Sequence, residues 1–275
     1  MNDEKLQKII ANAGLASRRE AERWIQDGRV SVNGSIAELG DRATSKDKIR
    51  VDGKVLQVTA KDDFQRRMLA YHKPEGEICS RKDPEGRPSV FDNLPTIKGG
   101  RWIAVGRLDI NTSGLIFFTN DGEMANLLMH PSNQVLRKYA SRVRGEVTED
   151  VIKKLKHGVK LEDGVAKFEM IHDAGGEGSN HWYHVSIREG KNREVRRIWE
   201  AEEIQVSRLH RIQYGPYELP RSLKRGRWHE LDSKELAQFE ELVGLKRTAA
   251  KKTLNQASVK RQARKRLKAR KPHRR

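Results

Sequence analysis

GRLDINTSGLIFFTNDG, residues 106–122, puts an acid beside a turn and that turn beside an apolar strand. The run Leu115–Phe118 follows an Asn-Thr-Ser-Gly turn and reads as a buried strand entered through a tight corner. Asp109 ends the preceding strand-like segment WIAVGRLD and lies next to Arg107. A half-buried carboxylate costs several kcal/mol unless it is paired or hydrogen-bonded, so this Asp needs partners, a task or both. Two local readings stand side by side. Asp109 is an Asx-type turn residue that bonds the backbone of Asn111 or Thr112, or its carboxylate faces a cleft while Leu115–Phe118 enter the core.

Around this strand, MLAYHKP, WIAVGRLD, KYASRVRG, WYHVSIREG and VSRLHRIQYG read as further strands. Helical spacing marks EMANLLMH, EDVIKKLKHG after a Thr148 cap, NREVRRIWEAE and SKELAQFEELV. Strands mostly separated by turns, with helices intermixed, predict an α+β body with a mixed, mainly antiparallel sheet over residues 66–245. Residues 1–60 read as a separate small unit. Its first helix runs through Leu6, Ile9, Ile10 and Ala13, and its second opens at SRRE, where Ser17 and Glu20 have capping-box spacing, and closes at Gly28. VSVNG and IRVDGKVL then read as hairpins turning at Asn-Gly and Asp-Gly. TAKDDFQR, residues 59–66, is polar and aperiodic and reads as a linker.

Charge is unevenly spread. The chain has 56 Lys+Arg against 38 Asp+Glu, and 14 of those cations with no acid fall in residues 246–275. The preceding 245 residues therefore carry 42 against 38, about +4. An ordinary body with a strongly basic tail, expected to be disordered until bound, suits a partner rich in phosphate. The tail has too few large apolar residues to lie on a membrane. No run of 18 apolar residues and no secretory leader is visible. Cys79 is the one cysteine, which excludes an intrachain disulfide. A cytoplasmic, monomeric protein is expected, with no membrane partner.

Several chemistries are absent. There is no G-x-x-x-x-G-K-[ST], and AGGEGSN fails as a dinucleotide loop because His181 stands at the last glycine position. His181 and His184 are three apart on a strand-like segment and point to opposite faces, so no metal site is expected. No cofactor is expected either.

LASRREAERWIQDGRVSVNG resembles the RNA-binding module of the S4 type found in a small-subunit ribosomal protein and in several RNA-modifying enzymes. The resemblance implies an RNA surface at Ser17, Arg18, Arg19, Arg29, Asn33 and Gly34. Independently, Arg18, Arg19 and Arg23 crowd a helix start, where backbone N–H groups and the dipole already favour phosphate; a merely solvated charged face is the alternative.

GRLDINTSGL is similar to the G-R-L-D-x-x-T-x-G-L motif of pseudouridine synthases. KYASRVRG, EGKNREVRRIWEA, VSRLHRIQYGPYELP and LKRGRWHEL resemble that family's later motifs, in order, so the likeness spans roughly residues 5–245. An S4-like module before such a domain is the layout of the RsuA/RluB group, and the closest likeness is to its large-subunit rRNA branch. The resemblance implies that one uridine of ribosomal RNA is isomerised, by breaking its N1–C1′ bond and rejoining the base through C5. It implies Asp109 as the catalytic carboxylate, acting at C1′ as nucleophile or at C2′ as base, with Tyr139 and Leu209 against the base and Arg196 paired to Asp109. Arg107, Thr112 and Arg193 would contact the substrate. By pattern alone, Tyr139 and Leu209 are equally core residues, and Arg196 an exposed helix partner of Glu200. A non-catalytic rRNA-binding or ribosome-assembly factor on the same scaffold, and a small-subunit target, are the competing readings.

Overall fold

The computed structural model describes residues 3–44, 46–58, 64–97, 99–177 and 180–246; the basic tail lies outside them except for Lys246. The N-terminal unit opens with β1 (Glu4–Lys5), α1 (Leu6–Asn12) and α2 (Arg18–Gln26). Ser17 caps α2 by accepting the Glu20 N–H at 3.1 Å; the reciprocal half of the expected capping box is not formed. There follow β2 (Val30–Val32), β3 (Ser35–Ile36), β4 (Arg42–Ala43), β5 (Ile49–Val51) and β6 (Lys54–Val55). β3, β2, β5 and β6 form one antiparallel sheet in that order. Asn33 and Gly34 turn between β2 and β3 with φ of 53° and 100°, and Asp52 and Gly53 between β5 and β6 with 49° and 75°. These positive values are what Asn-Gly and Asp-Gly hairpins require. Leu6, Ile10, Ala21, Val30 and Ile49 are fully buried in the unit's own core.

The larger body begins before its first strand. Arg66, in the stretch that reads as a linker, is buried and paired to Asp121 at 2.7 Å and to Glu240, so the chain is already anchored there. Its strands are β7 (Met68–Lys73), β8 (Ile103–Val105), β9 (Thr112–Thr119), β10 (Arg137–Arg144), β11 (Val159–Leu161), β12 (Gly164–Ala166), β13 (Met170–Glu177), β14 (Asn180–Ile187), β15 (Gln205–Tyr214), β16 (Tyr217–Glu218) and β17 (Trp228–Glu230). The main sheet runs β13-β14-β10-β15-β9-β7-β17, with β8 on β9 and β16 on β15. Every pairing in it is antiparallel except β9 with β15. Helices α3 (Gly122–Met129), α4 (Glu149–His157), α5 (Glu194–Glu200) and α6 (Ser233–Leu242) complete it.

β9 is buried at every position because both sheet faces are covered. Leu115 and Phe117 enter a core with α3 and α6, where Phe117 meets Phe239 and Tyr217 edge-on; Ile116 and Phe118 enter the opposite core with Tyr71 and Trp102. Strand β13 carries no strand signal in its sequence. MIHDAGGE is rich in glycine, and its pairing with β14 breaks register between Asp173 and Gly176, so tertiary pairing rather than local propensity makes it a strand.

Beside the β9–β15 junction, the His210 ring lies tilted 5.1 Å from that of His72, with its Nδ1 3.0 Å from the Ser113 hydroxyl. Burial, with His72 and Arg225 nearby, pushes His210 down to about 4, and burial also lowers His72. The unfolded chain takes these protons near the ordinary histidine value and the folded chain resists them. Stability is therefore present at neutral pH and lost as pH falls from about 6.5 towards about 4. Urea midpoints measured across that window are expected to drop more steeply for wild type than for His210→Gln; parallel curves would refute the assignment.

Candidate active site

The chain enters β9 through a turn that uses backbone, not side chain. The Thr112 N–H donates to the Asp109 carbonyl at 3.0 Å, so the Asx reading of Asp109 is not realised. Among the described residues the Asp109 carboxylate has no hydrogen-bond or ion-pair partner, and it lines a broad cleft. The turn is held from below by Lys73, which is fully buried. Its ammonium donates to the carbonyls of Asp109 at 3.0 Å, Thr112 at 2.8 Å and Pro74 at 3.1 Å, with a longer contact to the Ile110 carbonyl at 3.5 Å, so all three N–H groups are used. Burial lowers the Lys73 pKa, while Cys79, Glu77 and Asp109 act in the opposite sense.

β9 and β15 approach closely beneath the turn. A Cβ added to Gly114, whose φ is +109°, would lie 2.3 Å from the Arg211 carbonyl oxygen, so only glycine permits this parallel pairing. The pairing sets Leu209 opposite Thr112, while β10 sets Ser141 opposite Leu209 and Tyr139 opposite Arg211. The result is a cleft of about 770 Å³, within the range of about 300–1,000 Å³ typical of small-molecule sites. Asp109, Arg107, Thr112, Tyr139, Arg193 and Leu209 all line it. Tyr139 and Leu209 are buried at 7% and 4% exposure, whereas Arg107 and Arg193 are exposed at the rim. Thr112 is buried and its hydroxyl has no partner among the described residues.

Arg196 departs from expectation. It is buried at 5% exposure, which removes the reading as a surface partner of Glu200; that glutamate sits 3.6 Å from Arg193 instead. Nor does Arg196 pair with the Asp109 carboxylate. Its guanidinium donates to the carbonyls of Val206 at 2.7 Å and Asn111 at 3.0 Å. Buried carbonyls need donors, and this arginine supplies two, tying α5 to β15 and to the Asp109 turn. Burial and the charge of Arg193 pull the Arg196 pKa down, and the charge of Asp109 pulls it up, so the carboxylate is felt through space rather than held in a bond.

Sequence reasoning missed the floor of the cleft. Arg211 is buried, donates from Nε to the Leu115 carbonyl at 2.6 Å, stacks 5.1 Å from the Tyr214 ring and leaves Nη2 without a partner among the described residues. Arg137 packs on the same ring at 5.2 Å and donates to the Arg188 carbonyl at 2.9 Å. In sequence both are simply cations within strands; a cation at an inward position of an alternating strand was the available signal. Cys79 also lines the cleft, but it exchanges hydrogen bonds with the Leu108 backbone and burial raises its pKa, which opposes a nucleophilic role. Among the described residues no group of three or more His, Cys, Asp or Glu is arranged to hold a metal ion.

In the N-terminal unit, Arg18 and Arg19 are exposed at the start of α2. Arg29 is instead held by Asp52 at 2.8 and 2.7 Å, and Asn33 bonds Asp47 and the Lys48 N–H. These two stabilise the hairpin edge that carries Gly34.

Comparison with known proteins fits this geometry. A family model for RNA pseudouridylate synthases matches residues 67–201, and one for the S4 domain matches residues 4–49. Ribosomal large subunit pseudouridine synthase B of Yersinia pestis is 58% identical over 244 residues, covering 88% of this chain and 77% of that protein. The enzyme of the same name from Escherichia coli strain K12 is 57% identical over 244 residues and is covered over 84% of its length. A solved structure of a pseudouridylate synthase superposes with a TM-score of 0.59 over 86% of this chain and 99% of that one, at 24% identity, a likeness of fold. A cleft opened by the G-R-L-D turn, an S4 domain ahead of it and relatives of this identity and coverage lead to one conclusion: the chain belongs to the RNA pseudouridine synthase family.

Proposed function

We propose that this chain isomerises a uridine of large-subunit ribosomal RNA to pseudouridine, working as a monomer in the cytoplasm and without a cofactor. The observation that carries the reading is the Asp109 carboxylate, which faces the cleft with no partner among the described residues, on a turn pinned by Lys73. Large-subunit rRNA as substrate rests on the names of the relatives. No helix among the described residues is long and apolar enough to cross a membrane.

In this reading the reaction needs an ionised acid at the sugar, a flat apolar support for the base and a means of drawing the uridine out of its stack. Asp109, as nucleophile at C1′ or as base at C2′, drives breakage of the N1–C1′ bond. Tyr139 and Leu209 hold the detached base while it turns, C5 bonds to C1′ as Asp109 is restored, the C5 proton is lost to solvent and N1 takes up a proton. Arg107 and Arg193, at the rim, grip flanking phosphates and offset the cost of unstacking, a few kcal/mol. Thr112 orients the substrate from the cleft wall. Arg196 acts through the turn, as a positioning residue. Ser17, Arg18, Arg19, Arg29, Asn33 and Gly34 form the RNA-facing edge of the S4 domain, residues 1–60, ahead of a catalytic domain over 66–245 and a basic tail over 246–275.

Purified protein incubated with transcripts of large-subunit and of small-subunit rRNA, followed by carbodiimide-stop mapping, is expected to give one new stop, on the large-subunit transcript. A stop on the small-subunit transcript alone would redirect the assignment. No stop on either would leave the scaffold of a non-catalytic assembly factor.

A further inference from the structure

The main sheet has a second face away from the cleft. Tyr139 points into the cleft, so its neighbours Lys138, Ala140, Arg142 and Arg144 alternate onto the opposite side. Residues directly across a ladder share a face, and the registers of β13, β14, β10 and β15 assemble rows there. Trp182, Arg142 and Arg208 stand side by side; in the next row are His172, His184 and Ala140; Lys138 lies beyond, opposite Ser186. Arg144 extends the surface opposite Asn180 and Gln205, and Glu177 holds the far corner in register with Asn180. Arg144, Arg208 and His172 are exposed, and Lys138, Arg142, Trp182 and His184 are half-buried.

Several arginines elsewhere in the chain are neutralised by acids: Arg29, Arg66, Arg67, Arg87, Arg188 and Arg197 each hold a carboxylate. Among the described residues Lys138, Arg142, Arg144 and Arg208 hold none; Arg142 donates only to the Ser207 hydroxyl, at 3.0 Å. Within β13, β14, β10 and β15 no Asp or Glu is paired into the rows of Lys138, Ala140 and Arg142; the nearest acid in these rows is Glu218 on β16, beyond Gln213 from Lys138. Unpaired cations alternating with flat rings suit a polyanion whose bases can stack. Residues 246–275, with 14 cations and no acid, are charge-mismatched as an occupant.

The geometry points to this face as a second RNA-binding surface, taking an unpaired segment of the substrate RNA on the side of the sheet opposite the cleft. Arg142, Arg144, Arg208 and Lys138 meet phosphates, and Trp182 and His184 stack on bases. The proposal rests on the RNA-modifying reading above, and extends it from one nucleotide in a cleft to a strand that continues around the sheet edge at β13.

The test is filter binding of a full-length large-subunit rRNA transcript over a salt series, with pseudouridine formation on the same transcript scored separately. Arg142→Gln/Arg144→Gln/Arg208→Gln is expected to make the log–log salt slope shallower by about 2, since each single-strand phosphate left unneutralised removes roughly 0.7 from it. The same three positions changed to Lys keep the charge and should keep the slope, which separates charge loss from misfolding. Trp182→Ala should weaken binding about 5-fold or more with the slope unchanged. An unchanged slope and affinity in the Gln variant overturn the proposal and leave the face to an acidic protein partner. Wild type that binds with the steeper slope yet forms no pseudouridine would sink the enzymatic reading and retain the surface.

Discussion

Asp109→Asn is expected to lower turnover by about 10³-fold or more, equivalent to ~4 kcal/mol of transition-state stabilisation, while leaving RNA affinity unchanged. The substitution preserves shape and removes only the charge. Asp109 contributes its backbone carbonyl, not its side chain, to the turn and to Lys73, so the loop has no reason to move when the carboxylate becomes an amide. Tritium release from RNA labelled at uridine C5 measures turnover directly, and filter binding on the same preparation measures affinity. Turnover within about tenfold of wild type would remove Asp109 from the chemistry. A parallel loss of binding would instead make it a substrate-holding group.

Lys73→Met is expected to cost both stability and turnover. Methionine fills similar space but withdraws three N–H donors from the buried carbonyls of Pro74, Asp109 and Thr112. Orphaned acceptors of this kind cost about 1–3 kcal/mol each before relaxation, so a net loss of about 2–4 kcal/mol is expected from urea unfolding. The larger effect falls on kcat. The turn that presents Asp109 loses its pins, and a displacement on the order of 1 Å costs about 10²-fold, with KM little changed because the rim cations are untouched. Phe168→Leu provides the control, since Phe168 is buried against Trp199 and does not line the cleft. It should destabilise the protein and spare kcat. If the two variants lose kcat in proportion to their stability, Lys73 is a general structural residue and the positioning role falls.

The sequence of residues 106–122 was enough to predict a turn and a buried strand, because tight turns and all-apolar strands are written in neighbouring residues, but it left Asp109 between an Asx turn and a cleft, which the backbone bond from Thr112 to the Asp109 carbonyl decided. Pattern likewise located the hairpins at Asn33–Gly34 and Asp52–Gly53, whose positive φ values only a few residue types tolerate. The motif match grouped Asp109, Tyr139 and Leu209, and pairing in the sheet brought all three to one cleft. Tertiary structure decided what pattern could not. Whether Arg196 bonds a carboxylate or two carbonyls depends on where α5 meets β15 and the Asp109 turn, and Arg196 and Asn111 are 85 residues apart in the chain. Lys73 reads as an ordinary cation at the end of a strand until folding surrounds it with four carbonyls, three of them from the Asp109 turn. Arg142 and Arg208 are ordinary strand cations until the register of β10 and β15 sets them side by side. Alternation and turn chemistry act over a few residues and are legible one residue at a time. Charge placement depends on contacts between distant segments, and only the folded chain fixes it.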